Sequence, residues 1–397
     1  MNEVMKKKTK RLAAIPTDPI EIYLSAGYGA KWLKEYFNPL KYFDEVYVLS
    51  PLEKDNPDLL GMRAIHTRPE QLSSRLKELN IGVVRAYGGF WPCEMACENK
   101  VNGIPAIVSV HDTTPSMLWD SIAKADVVLC MSEAVKKLVL TKHKREERVW
   151  MLPNRIHFDE MRPYAKEEIG DELNKQYPFK HKIIHVGRKT KQKNLDNLIK
   201  SMKYLGKDYC LLAVGKGEPA EYVQVAKDYG VLEQCFFIEA IPNQELARYF
   251  SWADCMAMPS RWEGFSIVII EALACEAVLV GSNIPEIAEA ITHKHNGLLI
   301  DDYENPQAIA DMIRMACTDQ ALRKVIKSNA RRSVERFEQS RIDALEAGYY
   351  KKVLEMNGQG EFRMPLWEQM SRSTIGREIK RFIPDSIKEA ILSTIRN

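Results

Sequence analysis

The sequence predicts an α/β fold of two Rossmann-like, doubly wound domains that face a central cleft. Three observations carry this. Short β-branched runs alternate with longer amphipathic stretches, the pattern of βαβ units and a parallel sheet. The 397 residues exceed the roughly 100–200 that one domain usually holds. A polar segment at 155–178, carrying Pro163 and Pro178, separates two sets of strand candidates.

The first set is IEIYLS (20–25), VYVLS (46–50), IGVVRAY (81–87), PAIVSVH (105–111), DVVLCMS (126–132) and VWMLP (149–153). The second is KIIHVG (182–187), YCLLAVG (209–215), CFFIEAI (235–241), DCMAMPS (254–260), AVLVGS (277–282) and GLLID (297–301). Helical patterns lie between, for example at 194–205 and 243–253, and Asn305–Pro306 opens a helical run toward 356. The expected division is residues 1–165 as a first domain, 166–345 as a second and 346–397 as C-terminal helices. Two such domains offer a ligand one obvious place, the cleft where the C-terminal ends of both sheets face each other.

Composition narrows the function classes. With 45% hydrophobic and 28% charged residues the chain can bury sizeable cores. A net charge of +3 gives no argument for a nucleic-acid partner. The eight cysteines are scattered and read as ordinary buried thiols of a reducing compartment, hence a cytoplasmic protein. Met1 to Arg11 is not followed by a sustained apolar segment, which reads against a signal peptide. No apolar run reaches the ~20 residues that span a bilayer. Both ends are basic: Lys6, Lys7, Lys8, Lys10 and Arg11 at one, Arg372, Arg377, Lys380, Arg381, Lys388 and Arg396 at the other. Such ends read either as solvated termini or as contacts to an anionic membrane surface. In the tail, Ile375, Ile379, Phe382, Ile383, Ile387, Ile391 and Ile395 form an apolar helical stripe, broken near Pro384. It suits either a membrane surface or packing against the first domain.

The richest stretch is SRWEGFSIVIIEALACEAVLV (260–280). A strand ends near Pro259, a loop brings Glu263, Gly264 and Phe265, and a helix starts near Ser266. That helix is apolar almost all round except for Glu271, a carboxylate that needs either a cation or ligand hydroxyls. Gly264 allows close backbone approach to a ligand, and free N–H groups at the helix start suit a phosphate. HVGRKTKQKN (185–194) ends a strand at Gly187 and follows it with cations. Arg188, beside the strand, and Lys193, at a helix start, are the better placed to neutralise a diphosphate, whereas Lys189 and Lys191 read as a solvated turn. His111 ends a strand at the cleft and reads either as functional or as a satisfied structural residue. Gly27 and Gly29, in SAGYGAKW after the first strand candidate, form a weak phosphate- or acceptor-loop signal without the full GxGxxG. No Asp-x-Asp follows a strand, so no catalytic metal and no cofactor are expected.

Together these residues resemble the retaining glycosyltransferases of family 4, which have the GT-B fold. The resemblance rests on DVVLCMSEAV with VWMLPNRIHFDEMRP, on GRKTKQKN, on the Glu-x7-Glu spacing of EGFSIVIIE, and on IPEIAEAITHKHNGLLI. It implies a nucleotide-diphosphate-sugar donor whose diphosphate meets Arg188 and Lys193. Glu271 would bond the ribose. Glu263 would hold the transferred sugar with backbone amides of Gly264, Phe265 and Ser266, and His111 would sit near the reacting carbon. It further implies a glycan, glycolipid or lipid-linked acceptor, and retention by a front-face substitution that needs no enzyme nucleophile. The chain departs from the family pattern in its reduced first loop, in Arg155 and His157 after Asn154, and in Asn283–Ile284 before the Pro-Glu segment. An epimerase or phosphorylase of the same fold, or a non-catalytic sugar-nucleotide-binding protein, stands as the alternative. An epimerase would want more cleft acids and bases, and a phosphorylase a phosphate site or cofactor lysine.

Overall fold

A computed structural model describes residues 9–25, 29–239 and 241–364. The first sheet comprises β1 (Arg11–Ile15), β2 (Glu45–Ser50), β3 (Asn56–Leu59), β4 (Met62–His66), β5 (Val83–Tyr87), β6 (Ala106–Val110), β7 (Val127–Cys130) and β8 (Val149–Met151). Its spatial order is β3-β4-β2-β1-β5-β6-β7-β8, parallel except where β3 meets β4. The second sheet holds β9 (His181–Val186), β10 (Tyr209–Val214), β11 (Cys235–Ile238), β12 (Cys255–Met258), β13 (Leu279–Ser282) and β14 (Leu298–Ile300). Its order, β11-β10-β9-β12-β13-β14, is that of a doubly wound nucleotide-binding sheet.

The strand order reverses between β1 and β5 in one sheet and between β9 and β12 in the other. At such a point the connections leave toward opposite faces, and a crevice opens beyond the strand ends. Both sheets are covered on both faces. Along β1, Leu12 and Ala14 enter one apolar cluster while Ala13 and Ile15 enter another. Along β9, Ile183 and Ile184 divide in the same way. Successive side chains of a strand point to opposite faces, so a two-sided core needs continuous apolar runs rather than alternation.

The helices the site depends on are α1 (Ile20–Ser25), α2 (Ala30–Phe37), α3 (Leu195–Leu205), α4 (Asn243–Trp252), α5 (Ile267–Ala274), α6 (Pro306–Thr318), α7 (Gln320–Ser333) and α8 (Gln339–Gly358). Asn305 caps α6, its side chain accepting from Gln307 N at 3.0 Å, and Pro306 takes the first helical position. The chain crosses between the sheets twice, side by side: Ile156 N donates to Phe337 O at 3.0 Å and Gln339 N to Ile156 O at 2.9 Å. After the second crossing α8 returns to the first sheet, where Ile342, Tyr350 and Val353 join its core.

Two expectations are corrected. Residues 20–25 form a helix, not a strand. The alternation in IEIYLS mimics a strand, but Pro19 starts a turn, with Ile22 N donating to its carbonyl at 2.9 Å, and Ile22 is left 52% exposed. The first strand is instead RLAAI, which overlaps the basic arm. Arg11 is not a frayed solvated residue: it begins β1 and pairs with Glu45 at 3.1 Å. Lys6, Lys7, Lys8, Gly27 and the apolar, basic tail beyond 371 lie outside the described residues. Among the described residues no helix is long and apolar enough to cross a membrane.

Candidate active site

The second sheet delivers one side of the cleft. β9 ends at Val186, and Gly187 N still donates to Val214 O at 2.9 Å. Gly187 and Gly215 pack so closely that a side chain on Gly215 (φ +141°) would collide with the Gly187 carbonyl. The chain then turns through Lys191–Lys193 to a left-handed Asn194 (φ 55°), from which α3 starts. This turn swings Lys193 back under the strand end, where its Nζ donates to Glu263 Oε1 at 2.7 Å with both residues buried. Arg188 is exposed and makes no hydrogen bond or ion pair among the described residues. Lys189 is not a solvated turn residue. It donates to the carbonyls of Gly215 and Ile238, the second at 3.0 Å, and so ties the ends of β10 and β11.

The loop after β12 carries Glu263 across to the first domain. On its own side, Arg261 N donates to Gln192 O at 2.8 Å and Gln192 Nε2 to Trp262 O at 2.9 Å. On the far side, Thr113 Oγ1 donates to Glu263 O at 2.9 Å and Ser132 Oγ to Gly264 O at 3.0 Å. A Cβ on Gly264 would collide with the His111 carbonyl. The close approach Gly264 permits is therefore to protein backbone, not to a ligand as expected. Phe265 packs edge-on against Phe337, ring centroids 5.4 Å apart, and touches the cores of both domains.

α5 follows Ser266, whose side chain makes no cap bond and so leaves the first-turn backbone N–H groups uncapped. Glu271, one turn further in, is 5% exposed. Its one hydrogen bond comes from Asn243 Nδ2 at 3.2 Å, and no cation pairs with it among the described residues. Burial pushes its carboxyl up to about 7. It lines a cavity of about 220 Å³ with Val186, Asn243, Arg155, His157 and Ile267.

The first sheet delivers the other side. His111 follows β6, stacked 6.5 Å from the Tyr87 ring. Its Nε2 is shielded from solvent and has no hydrogen-bond partner. Burial, helped by the nearby Arg85 guanidinium, lowers its pKa to about 4, so the ring is neutral at pH 7. Tyr87 and His111 border a second cavity, of about 360 Å³, at the β1/β5 switch point. Trp32 and Ile267 line both cavities, which makes the two adjoining halves of one site.

Lys193, Glu263, Gly187, Gly264 and His111 thus form one linked constellation, with Glu271 four residues along α5 from the shared Ile267. Gly29 does not follow a strand. It sits at the N-cap of α2, its carbonyl accepting from Leu33 N at 3.1 Å, and Trp32 of that helix is what reaches the site. Sequence reasoning passed over Tyr87, Gly88 and Gly89. The signal was a glycine pair directly after an apolar strand: Gly88 has φ +99°, and a Cβ there would come within 2.6 Å of Phe90. Asn243 carried no such signal. Arg155 does not enter the cleft chemistry as a free cation, because it is bound to Asp343 and Glu346 of α8. Among the described residues no three His, Cys, Asp or Glu side chains are grouped to hold a metal ion.

Residues 170–333 match the sequence model of the family described as Glycosyl transferases group 1. An uncharacterized glycosyltransferase of Methanocaldococcus jannaschii is 30% identical over 181 residues, 45% of this chain and 46% of that protein. The chain therefore spans about half the length of that curated relative. The N-acetyl-alpha-D-glucosaminyl L-malate synthase of Bacillus anthracis is 25% identical over 264 residues, 64% of this chain and 68% of that one. Among solved structures, the HepE protein of Anabaena in complex with UDP superposes with a TM-score of 0.70 at 18% identity, over 87% of this chain and 100% of that one. The chain has the GT-B fold, and its residues 170–333 match the group 1 glycosyl transferases.

Proposed function

We propose that this protein transfers a sugar from a nucleotide-diphosphate donor to an acceptor hydroxyl, with retention of anomeric configuration and without a metal ion. The observation that carries the reading is Glu271. A buried carboxylate with one amide contact and no cation is costly in the unliganded fold. Two hydroxyl donors on one sugar ring, such as a ribose 2′,3′-diol, are what it lacks. The solved neighbour of the same fold is described in complex with UDP, which fits a nucleoside at that position.

With the nucleoside there, the diphosphate falls toward the start of α5 and the end of β9. Its charges meet exposed Arg188, the N–H groups of α5, and Lys193, whose ammonium has three donors and gives only one to Glu263. The second oxygen of Glu263 is left for a sugar hydroxyl. Transfer breaks the bond between the anomeric carbon and the phosphate oxygen and forms one to the acceptor oxygen on the same face. The acceptor's proton leaves with the diphosphate oxygen. The contacts from Arg188 and Lys193 strengthen as charge gathers on the leaving group, which is how they accelerate the step. Neutral His111 serves as a hydrogen-bonding wall beside the anomeric carbon rather than as a cation. The assay is release of nucleoside diphosphate from a panel of nucleotide sugars, UDP-glucose first, with the product's anomeric configuration read by NMR. No release from any donor in the panel contradicts the reading, and an inverted product contradicts retention. A cytoplasmic enzyme acting on a glycan or lipid-linked acceptor at a membrane surface is the setting proposed for it.

A further inference from the structure

Lys193 and Glu263, proposed above to meet the donor, are held from behind by a residue that lines neither cavity. Lys193 closes the turn Lys191–Lys193, and Glu263 stands in the loop after β12. Directly before each of them the two segments are laced together. The carbonyls of Lys191 and Gln192 both accept from Arg261, the first from its side-chain Nη1 at 2.5 Å and the second from its backbone N–H at 2.8 Å. Gln192 Nε2 returns a bond to Trp262 O at 2.9 Å. Residues 191 and 192 thus lie against 261 and 262. One step further along both segments, Lys193 Nζ meets Glu263 Oε1 at 2.7 Å.

The Arg261 guanidinium is itself fixed. Nε and Nη2 donate to the two oxygens of Glu304 at 2.7 and 2.9 Å, and Nη1 reaches Asp196 at 3.2 Å. Glu304 stands between β14 and α6, and Asp196 in the first turn of α3. Asn197 Nδ2 donates to Glu304 at 2.8 Å and Asn194 Nδ2 to Tyr303 O at 2.7 Å, so the loop after β14 is tied to the start of α3 as well. A planar fork gripped by both oxygens of one carboxylate has a defined orientation, which a flexible ammonium would not impose. The Arg261 side chain is 23% exposed and that of Glu304 52%. Ion pairs this open add little to overall stability. What this one fixes is how the loops after β9, β12 and β14 sit relative to one another.

We propose that Arg261 is a positioning residue for the donor site: clasped by Glu304 and Asp196, it holds the turn that carries Lys193 against the loop that carries Glu263, so that ammonium and carboxylate are in place before the nucleotide sugar arrives. The inference rests on the glycosyl-transfer reading for what the pair binds, but not for the clasp itself. Arg261 and Glu304 line neither cavity of the site and act through Lys193 and Glu263. Groups that stabilise a leaving group must be held where its charge develops, and a displacement of about 1 Å can cost about a hundredfold in rate.

Steady-state kinetics on the full chain tests it, with UDP-glucose or whichever nucleotide sugar of the panel the wild type turns over. Arg261→Ala is expected to lower kcat about tenfold, with KM within about threefold and the unfolding midpoint little changed. Glu304→Gln keeps the size of an exposed side chain and removes its charge. It is expected to lower kcat about threefold, and the double variant to be no slower than Arg261→Ala alone, because both changes undo one clasp. A second readout needs no turnover: acetylation of Lys193 by acetic anhydride, followed by peptide mass spectrometry. Its rate is expected to rise about fivefold in Arg261→Ala as the turn loosens. Lys100, paired with Asp126 in the first domain, keeps its rate. Arg261→Ala with kcat within about twofold of wild type, losses that multiply in the double variant, or an unchanged Lys193 acetylation rate each overturn the proposal. A wild-type chain that turns over no donor sinks the transfer reading, and the Lys193 acetylation rate then still decides the clasp.

Discussion

Two buried charge clusters in this protein are built to opposite standards. Behind the first sheet, Arg85, Arg155, Glu346 and Asp343 close on one another, with Tyr350 donating to Glu346 at 2.9 Å and Gln339 to Asp343 at 3.2 Å. Two cations face two carboxylates, and α8 is fastened to β5 and to the crossing at Asn154–Ile156. In the cleft, among the described residues, Lys193 has one carboxylate, Glu271 has one amide, Arg188 has no partner, and His111 Nε2 is bare. The first cluster pairs each of its charges internally and fastens α8 to the first sheet. The second would be completed by the donor proposed above. Charge satisfaction, rather than burial alone, is what distinguishes the two.

Substitutions that exploit this contrast should differ in kind. The largest effect on the fold is expected from Glu346→Ala, which strands the buried guanidinium of Arg85 and leaves Arg155 with Asp343 alone. A loss of about 3–5 kcal/mol in a denaturant titration is expected. A change below 1 kcal/mol would mean that the cluster is not holding α8. On the cleft side, Arg188→Ala is expected to lower kcat at least tenfold while the unfolding midpoint stays put, since its side chain is exposed and unpaired. Lys193→Ala should lower kcat as much and also cost stability, because Glu263 loses the one cation that pairs with it among the described residues. Near-wild-type turnover in both would remove these residues from the donor site. Smallest of all, EDTA should leave the rate unchanged; full loss restored by Mg²⁺ or Mn²⁺ would contradict metal independence.

Much of this was readable in the sequence, and the failures have physical causes. β9 and β12 were clear because continuous apolar runs end in chemistry-bearing loops. Glu271 stood out as a lone carboxylate on an all-apolar helix, and the structure adds that no cation pairs with it among the described residues. β1 was missed because RLAAI, with two alanines, has weak strand propensity and overlaps a basic run; packing between β2 and β5 makes it a strand. The Lys193–Glu263 pair joins residues 70 apart in sequence. Each was legible as a type, but their meeting depends on β9 and β12 being neighbours. Gly264 was recognised as a close-approach glycine, but only the three-dimensional arrangement showed that what it approaches is His111.

The most direct test is a calorimetric titration of UDP across pH 5–9 with wild type and Glu271→Gln. Burial raises the free Glu271 carboxyl from the usual carboxylate range to about 7, and ribose hydroxyls would favour its ionised form. Binding should therefore release a proton, and affinity should climb with pH up to about 7 and then level off. In the unliganded fold the sign is reversed. The stability tied to the protonated carboxyl is fully present below the ordinary carboxylate range and is lost as pH rises through about 7. Glu271→Gln should therefore melt higher than wild type at pH 8, bind UDP at least tenfold more weakly there, and lose the climb. Unchanged affinity and an unchanged pH profile in Glu271→Gln would contradict the donor site placed at this residue.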